Sequence, residues 1–426
     1  LKSSIVNRKS SIACVALLLV LTALPAAGKR PFTFTDMMSL KRVGEPVPSP
    51  DGKWVAFTAV EVDLAANKKT SHIWLVPMPD VGGYGQRKLT NDVAGEDRPR
   101  WSPDGKRLAF LWAKDGSTQV WVQDFDSTAG TLTGEPRKLT SISTEADGEQ
   151  WSPDGKWILF TSAVYPDCKD DACNQQKDAE QAKSKVKARI FTELFYRHWT
   201  GYRGPKRSHL FVVSSAGVTS SAPPRDLTPG AHDVPPFSLG GQDDYAWSPD
   251  SKEVTYSSNH DVVEAISTNA DLFTVDVATG KTKQLTSNKG SDATPLYSPD
   301  GKYIAYRAQF RGGYESDRFR LMLYDRVTGK STNLTEAFDR WVGTFVWERG
   351  SRAIYLSAED RGNSPIYAQG IDGERMLRRL VDGHLDDLAV LPNADGLIFT
   401  RMFIERPNEI WTWTSCKQGE SCEPLP

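Results

Sequence analysis

No Gly-x-Ser-x-Gly occurs in the 426 residues, so the strand-to-helix turn that presents the serine of an α/β-hydrolase has no candidate here. His-Glu-x-x-His is missing too, which removes the helix that carries zinc in many metalloproteases. No glycine-rich phosphate loop with a following lysine is found, because Gly312-Gly313 lies inside a polar hairpin. Histidine is sparse, and the six residues at 72, 198, 209, 232, 260 and 384 read as scattered surface positions. An excess of charge is lacking: 52 Lys and Arg stand against 54 Asp and Glu, a net of −2. A nucleic-acid surface would need a concentrated basic patch, so that class is excluded. One apolar run, residues 12–24, is short for a bilayer span.

What the chain has is a repeat. Trp101-Ser102-Pro103-Asp104-Gly105-Lys106 returns as Trp151-Ser152-Pro153-Asp154-Gly155-Lys156, as Trp247-Ser248-Pro249-Asp250-Ser251-Lys252 and as Tyr297-Ser298-Pro299-Asp300-Gly301-Lys302. An earlier copy is Pro48-Ser49-Pro50-Asp51-Gly52-Lys53, and Trp347-Glu348-Arg349-Gly350-Ser351-Arg352 is a worn one. Each reads as a hairpin: an aromatic residue ends one strand, Pro fixes φ, Asp accepts from nearby amides and Gly supplies φ > 0. An alternating strand follows (Leu108, Ala109, Phe110, Leu111), then a third, then a fourth ending in Leu-Thr at 89–90, 139–140, 227–228, 285–286 and 334–335. Four short strands recurring every ~40–50 residues predict an all-β fold, a β-propeller with four antiparallel strands per blade. Blades are expected from about 47, 98, 149, 243, 292, 340 and 385, which makes seven. Eight follow if the long excursion in the third blade folds as part of another sheet. The seventh is completed by an N-terminal strand or stays open. A calcium role for Asp51, Asp104, Asp154, Asp250 and Asp300 is the weaker reading, since an Asp before Gly in a tight turn is occupied by backbone amides. No metal and no cofactor are expected.

Residues 1–27 read as a secretory signal peptide: Lys2, Arg8 and Lys9, then the apolar run, then Pro25-Ala26-Ala27. The propeller is assigned to 28–414, with an insertion at about 163–207, and 415–426 as a C-terminal tail. Outside the leader, Cys168, Cys173, Cys416 and Cys422 fall into two close pairs. In an exported protein these read as local disulfides, Cys168–Cys173 and Cys416–Cys422. The insertion has a helical tendency over 172–188. It then turns unusually aromatic: Phe191, Phe195, Tyr196, Arg197, His198, Trp199 and Tyr202. Such residues cover a blade face, line a cavity or contact another domain. Glu193 and Arg197 are the polar members able to hold a peptide terminus. Glu193, Tyr196, Arg197, His198 and Trp199 are therefore the candidates for a substrate-facing or domain-docking role. The acidic pairs Glu359-Asp360 and Asp386-Asp387 can bind a cationic group, or are simply solvated loops.

The leader, the Ser-Pro-Asp-Gly-Lys blades and the run Arg197-His198-Trp199 with Lys206-Arg207-Ser208-His209-Leu210-Phe211-Val212 resemble the N-terminal propeller of prolyl-oligopeptidase-type (S9) serine peptidases. The resemblance is greatest to the acylaminoacyl-peptidase and dipeptidyl-peptidase-5-like branch. TolB-like WD40-type propellers share the single repeats. The resemblance implies a propeller that caps an α/β-hydrolase domain and filters peptide substrates by size, with the Ser, Asp and His of catalysis all in that other domain. No catalytic residue is carried onto this sequence, and the hydrolase domain is read as absent from it. The expected function is the non-catalytic gating domain of an exported peptidase, periplasmic or secreted. Its partners would be peptides, if it is joined to a hydrolase, or a protein. Neither nucleic acid nor a stable membrane span after leader cleavage is expected. The alternative is a stand-alone periplasmic TolB-like propeller that binds protein or peptide.

Overall fold

The computed structural model describes residues 30–78, 85–192, 194–216, 223–237, 243–372 and 377–415. The leader, Glu193, Cys416 and Cys422 lie outside them. Leu1–Leu40 and Lys41–Pro426 are separate compact units. In the first, the short helix Phe34–Ser39 is held by a capping box, with Thr33 Oγ1 accepting from the Asp36 N–H and the Asp36 carboxylate from the Thr33 N–H.

The second unit is a seven-bladed antiparallel β-propeller. Blade two is the template, with strands Glu96–Trp101, Arg107–Trp112, Gln119–Asp126 and Thr131–Lys138 in sequential order. Blades three to six begin with the strands Asp147–Trp151, Tyr245–Trp247, Asp292–Tyr297 and Val342–Trp347 and repeat that order. In blade one both Arg42–Val43 and Val47–Pro48 pair with Trp54–Asp63. Among the described residues blade seven shows three strands, His384–Val390, Gly396–Met402 and Glu409–Thr414, and no N-terminal strand joins them. The aromatic excursion makes no eighth blade. It carries only the hairpin Arg197–His198 with Gly201–Tyr202. Its helix is Asp171–Lys183, started by the Asp170 side chain on the Cys173 N–H. The Cys168–Cys173 disulfide closes the loop in front of that helix.

The repeat motif explains the ring. In each full copy the serine Oγ donates to the aspartate two residues on (Ser102 to Asp104, 2.6 Å) and accepts the N–H that opens the second strand (Arg107, 3.0 Å). The same carboxylate accepts the lysine N–H (Lys106, 3.2 Å). The five copies repeat this to within about 0.1 Å. The serines are fully buried, so the network satisfies donors that water cannot reach. The aromatic residue before the serine reaches sideways. The indole N–H groups of Trp101, Trp151 and Trp347 each donate at 3.0 Å to a carbonyl of the preceding blade, at Val47, Arg100 and Leu296. At the other end of the blade, the threonine of Leu-Thr accepts from the third strand, as Thr140 does from the Val120 N–H.

Apolar packing sits between blades. One cluster joins blades one and two (Ile73, Leu108, Phe110), the next joins two and three (Leu111, Val120, Phe160), and the series continues round the ring. The closing seam between blades seven and one is the thinnest, with Val55, Leu391 and Ile398 as its buried members. Asn393 Nδ2 also donates across it to the Asp51 carbonyl at 2.5 Å. Radial stacking buries both faces of each sheet without a continuous sheet closure.

Candidate functional site: the loop face and its axis

Antiparallel order sorts the connections. The Ser-Pro-Asp-Gly turns and the third-to-fourth-strand turns lie at one end of the strands. The second-to-third-strand loops and the inter-blade connections lie at the other. Among the described residues of the ring, every exposed large apolar side chain except Val327 belongs to this second, loop face. Blade three contributes Leu194, Tyr196, Trp199 and Tyr202, blade four Val262 and Ile266, blade five Phe310 and Tyr314, and blade seven Ile404.

The aromatic excursion is pinned onto that face by a residue the sequence did not single out. The Arg203 guanidinium pairs with Asp233 at 2.8 Å and Glu264 at 2.5 Å, and its side chain is 9% exposed. Asp233 belongs to the connection from blade three to blade four, and Glu264 to a loop of blade four. Phe195 and His198 pack edge-on against Phe237. Phe191 stacks on Tyr202 and lies 4.8 Å from Tyr196, while the Arg189 guanidinium lies 4.2 Å from the centre of the Tyr202 ring. Trp199, at the hairpin tip with φ +48°, is 79% exposed, so it covers no blade. Arg197 is exposed on the hairpin's first strand.

At the axis the first strands are irregular in the same place. Register shifts fall between Asp97 and Arg100, Asp147 and Gln150, Ala293 and Leu296, Val342 and Phe345, and Asp386 and Ala389. Bulges re-aim side chains, and here they point charged groups at one another. Arg98, at φ +50°, reaches Asp243 at 3.0 Å and Glu149 at 3.4 Å, linking blades two, three and four. Arg100 pairs with Glu45 of blade one. Asp244 accepts the Thr294 N–H at 2.7 Å, and Arg307 donates to the Thr294 hydroxyl at 2.9 Å. Asp386 and Asp387 face Thr344 and Thr400. Burial pushes Glu149 up to about 8 against the pull of Arg98, and burial also raises Asp244 and Asp387. Six acids, Glu45, Glu149, Asp243, Asp244, Asp386 and Asp387, thus stand with three arginines, Arg98, Arg100 and Arg307, in and beside these inner strands. Aligning the copies on their aromatic residue would have revealed the position, since three residues before it stand Arg98, Gly148, Asp244, Thr294 and Thr344.

The remaining sequence candidates are dispersed. Asp51, Asp104, Asp154, Asp250 and Asp300 sit in the turns of the opposite face. Asp360 pairs with Arg340 and Arg379. His232, His260 and His384 are exposed as the sequence suggested, but two of the six histidines are buried. His72 is buried against Glu96 at 3.0 Å, His209 against Asp226 at 2.7 Å, and His232 stacks on His260 at 4.0 Å. His72 joins the third strand of blade one to Glu96 of blade two, and His209 joins the third and fourth strands of blade three. Among the described residues, no three or more His, Cys, Asp or Glu side chains are placed to hold a metal, and no helix is long and apolar enough to cross a membrane.

Comparison with known proteins gives the same frame. Residues 199–309 match the family described as the dipeptidyl peptidase IV (DPP IV) N-terminal region. Dipeptidyl-peptidase 5 of Porphyromonas gingivalis is 31% identical over 382 residues, which are 88% of this chain and 53% of that protein. The acylaminoacyl peptidase of Pyrococcus horikoshii superposes with a TM-score of 0.63 at 17% identity, over 92% of this chain and 53% of that one. The β-propeller domain of the trilobed protease of Pyrococcus furiosus, described as having an open velcro topology, superposes with a TM-score of 0.56 at 17% identity, over 89% and 94%. At such identities the structural likenesses are of fold. The chain spans about half the length of the curated relatives it matches.

Proposed function

The chain is a β-propeller related to the S9-family serine peptidases of the dipeptidyl-peptidase-5 and acylaminoacyl-peptidase kind, and from that premise we propose that it is the non-catalytic, substrate-gating domain of an exported peptidase. The observation that carries this reading is the one-sided display of apolar side chains: the loop face exposes Leu194, Tyr196, Trp199, Tyr202, Val262, Ile266, Phe310 and Tyr314, while the turn face exposes Val327. Apolar groups gathered on one side mark a surface that meets another body. The reading gives that body as an α/β-hydrolase domain, with the aromatic hairpin and the acidic axial mouth facing the cavity between the two. Tyr196, Arg197, His198 and Trp199 then form one wall of the cavity. The carboxylates at the axis favour the cationic amino end of a peptide over its carboxylate end. Export is supported by the basic and then apolar start of the sequence.

Supplying the catalytic half of the Porphyromonas gingivalis relative, fused after residue 426, tests the gate. The fusion should cleave a dipeptidyl-coumarin at least tenfold faster than the same bond inside a folded protein. The free hydrolase half should show a smaller ratio. Equal ratios with and without the propeller would remove the gating role. The chain alone should take no label from a fluorophosphonate probe, since it contains no nucleophile elbow.

A further inference from the structure

Among the described residues, two buried carboxylates between blades four and five have no cationic side chain paired with them. Asp292 opens the first strand of blade five and is 0% exposed; Asp271 opens the third strand of blade four and is 6% exposed. A bridge between Ala270 and Ser291, and the Asp292 N–H bond to the Ala270 carbonyl at 2.7 Å, hold the two strand starts together. The equivalent places in blades one and two carry His72 and Glu96, a complementary pair at 3.0 Å. His72 and Asp271 both precede the residue whose N–H goes to the Leu-Thr hydroxyl, Thr90 and Thr286 respectively. Elsewhere the buried acids of the ring have partners: Glu149 has Arg98, and Asp233 has Arg203. Here two acids stand where blades one and two place a histidine and a glutamate.

Three oxygens at this point are buried without a hydrogen-bond partner among the described residues: Asp271 Oδ1, Asp292 Oδ1 and Asn269 Oδ1. Asn269 is 8% exposed. Its amide lies against Asp271 and donates to Asp261 Oδ1 at 3.3 Å. The other carboxylate oxygens are engaged, Asp271 Oδ2 by Gln284 at 3.1 Å and Asp292 Oδ2 by Asn288 at 2.6 Å. Thr286 lies against both acids, and one hydroxyl proton cannot serve two carboxylates. Leaving such atoms unpaired is costly.

We propose that Asp271, Asp292 and Asn269, with the Thr286 hydroxyl, form a binding site for a hard divalent cation of the calcium class. Such a cation takes oxygen ligands from carboxylates, amide carbonyls and hydroxyls, and completes its shell with water. Two carboxylates neutralise its charge, and it engages buried carboxylate oxygens as the His72 ring engages Glu96. The site joins blade four to blade five and fixes the loop between Asn259 and Asn269, which also carries Glu264, the anchor of Arg203.

The test uses the full chain after passage over a chelating resin. At pH 7.5 and constant ionic strength, millimolar CaCl2 against EDTA should raise the melting temperature by about 3 °C or more, and Asp271→Asn should abolish the rise. Terbium should bind the parent with emission sensitised by Tyr306, whose phenol feels the Asp292 charge, and calcium should compete it away. The terbium titration decides the matter if Asp271→Asn fails to fold. Absence of both the calcium shift and competable terbium emission would overturn the proposal, as would an undiminished shift in Asp271→Asn. Asp292→Asn melting above the metal-free parent, with no cation effect in either, would also overturn it and show that the two acids share a proton.

Discussion

Replacing Arg203 by Met should release the aromatic hairpin while leaving the ring standing. Arg203 and Asp233 are 9% and 5% exposed, so the pair is buried, and Glu264 on its other side is 20% exposed. Breaking a buried pair by removing one partner costs about 3–5 kcal/mol, because the other charge is left uncompensated. Asp233 still accepts the Ser208 N–H at 2.8 Å, and methionine keeps the apolar stem near Phe195, which places the cost near ~3 kcal/mol. That is more than a hundredfold in an opening equilibrium. The cost should appear locally, since only a two-residue pairing and a few ring contacts hold the hairpin besides Arg203. Hydrogen exchange of the Arg203 amide, bonded to the Tyr196 carbonyl at 2.9 Å, should speed about a hundredfold. Exchange at Leu210 and Phe211 should hold. Adding Asp233→Asn to Arg203→Met should recover much of the loss, because no buried charge is then orphaned. Unchanged exchange in Arg203→Met, or a double variant no better than the single, would refute the reasoning.

Glu149 makes stability pH-dependent. Its folded pKa of about 8 lies above that of an unfolded glutamate, so the folded state binds the extra proton and stability falls as pH rises from about 4.5 to 8. Glu149→Gln should flatten that fall by an amount on the order of 4 kcal/mol in denaturant titrations across the window, and parallel curves would count against it. Ile398→Ala cuts the thin seam between blades seven and one and should cost about 2–5 kcal/mol; exchange in Gly396–Met402 should rise before that in blade two, and uniform loss round the ring would show that the seam is not the weak point. Trp199→Ala should leave the melt of this chain within about 0.5 kcal/mol, since the indole is exposed, yet weaken association with a catalytic domain in a binding titration. A large loss of stability would mean that Trp199 is packed.

The sequence by itself determined the blade. Ser-Pro-Asp-Gly-Lys and Leu-Thr are local devices whose hydrogen bonds close within a few residues or between neighbouring strands, so their spacing carried the strand order and the count. The disulfide Cys168–Cys173 was legible for the same reason, since its partners are five residues apart. Tertiary structure alone decided which residues meet round the axis and on the loop face. Arg98 and Asp243 are 145 positions apart and meet at 3.0 Å across blade three, where the first strands of blades two and three are both bulged. Arg203 finds Asp233 and Glu264 only when blades three and four stand side by side. Burial is likewise a property of the stack, and so the isolated pair Asp271 and Asp292 looks like any two acids in the sequence. A repeat encodes contacts within its own period, whereas charges facing one another across blades are set by how those periods close into a ring.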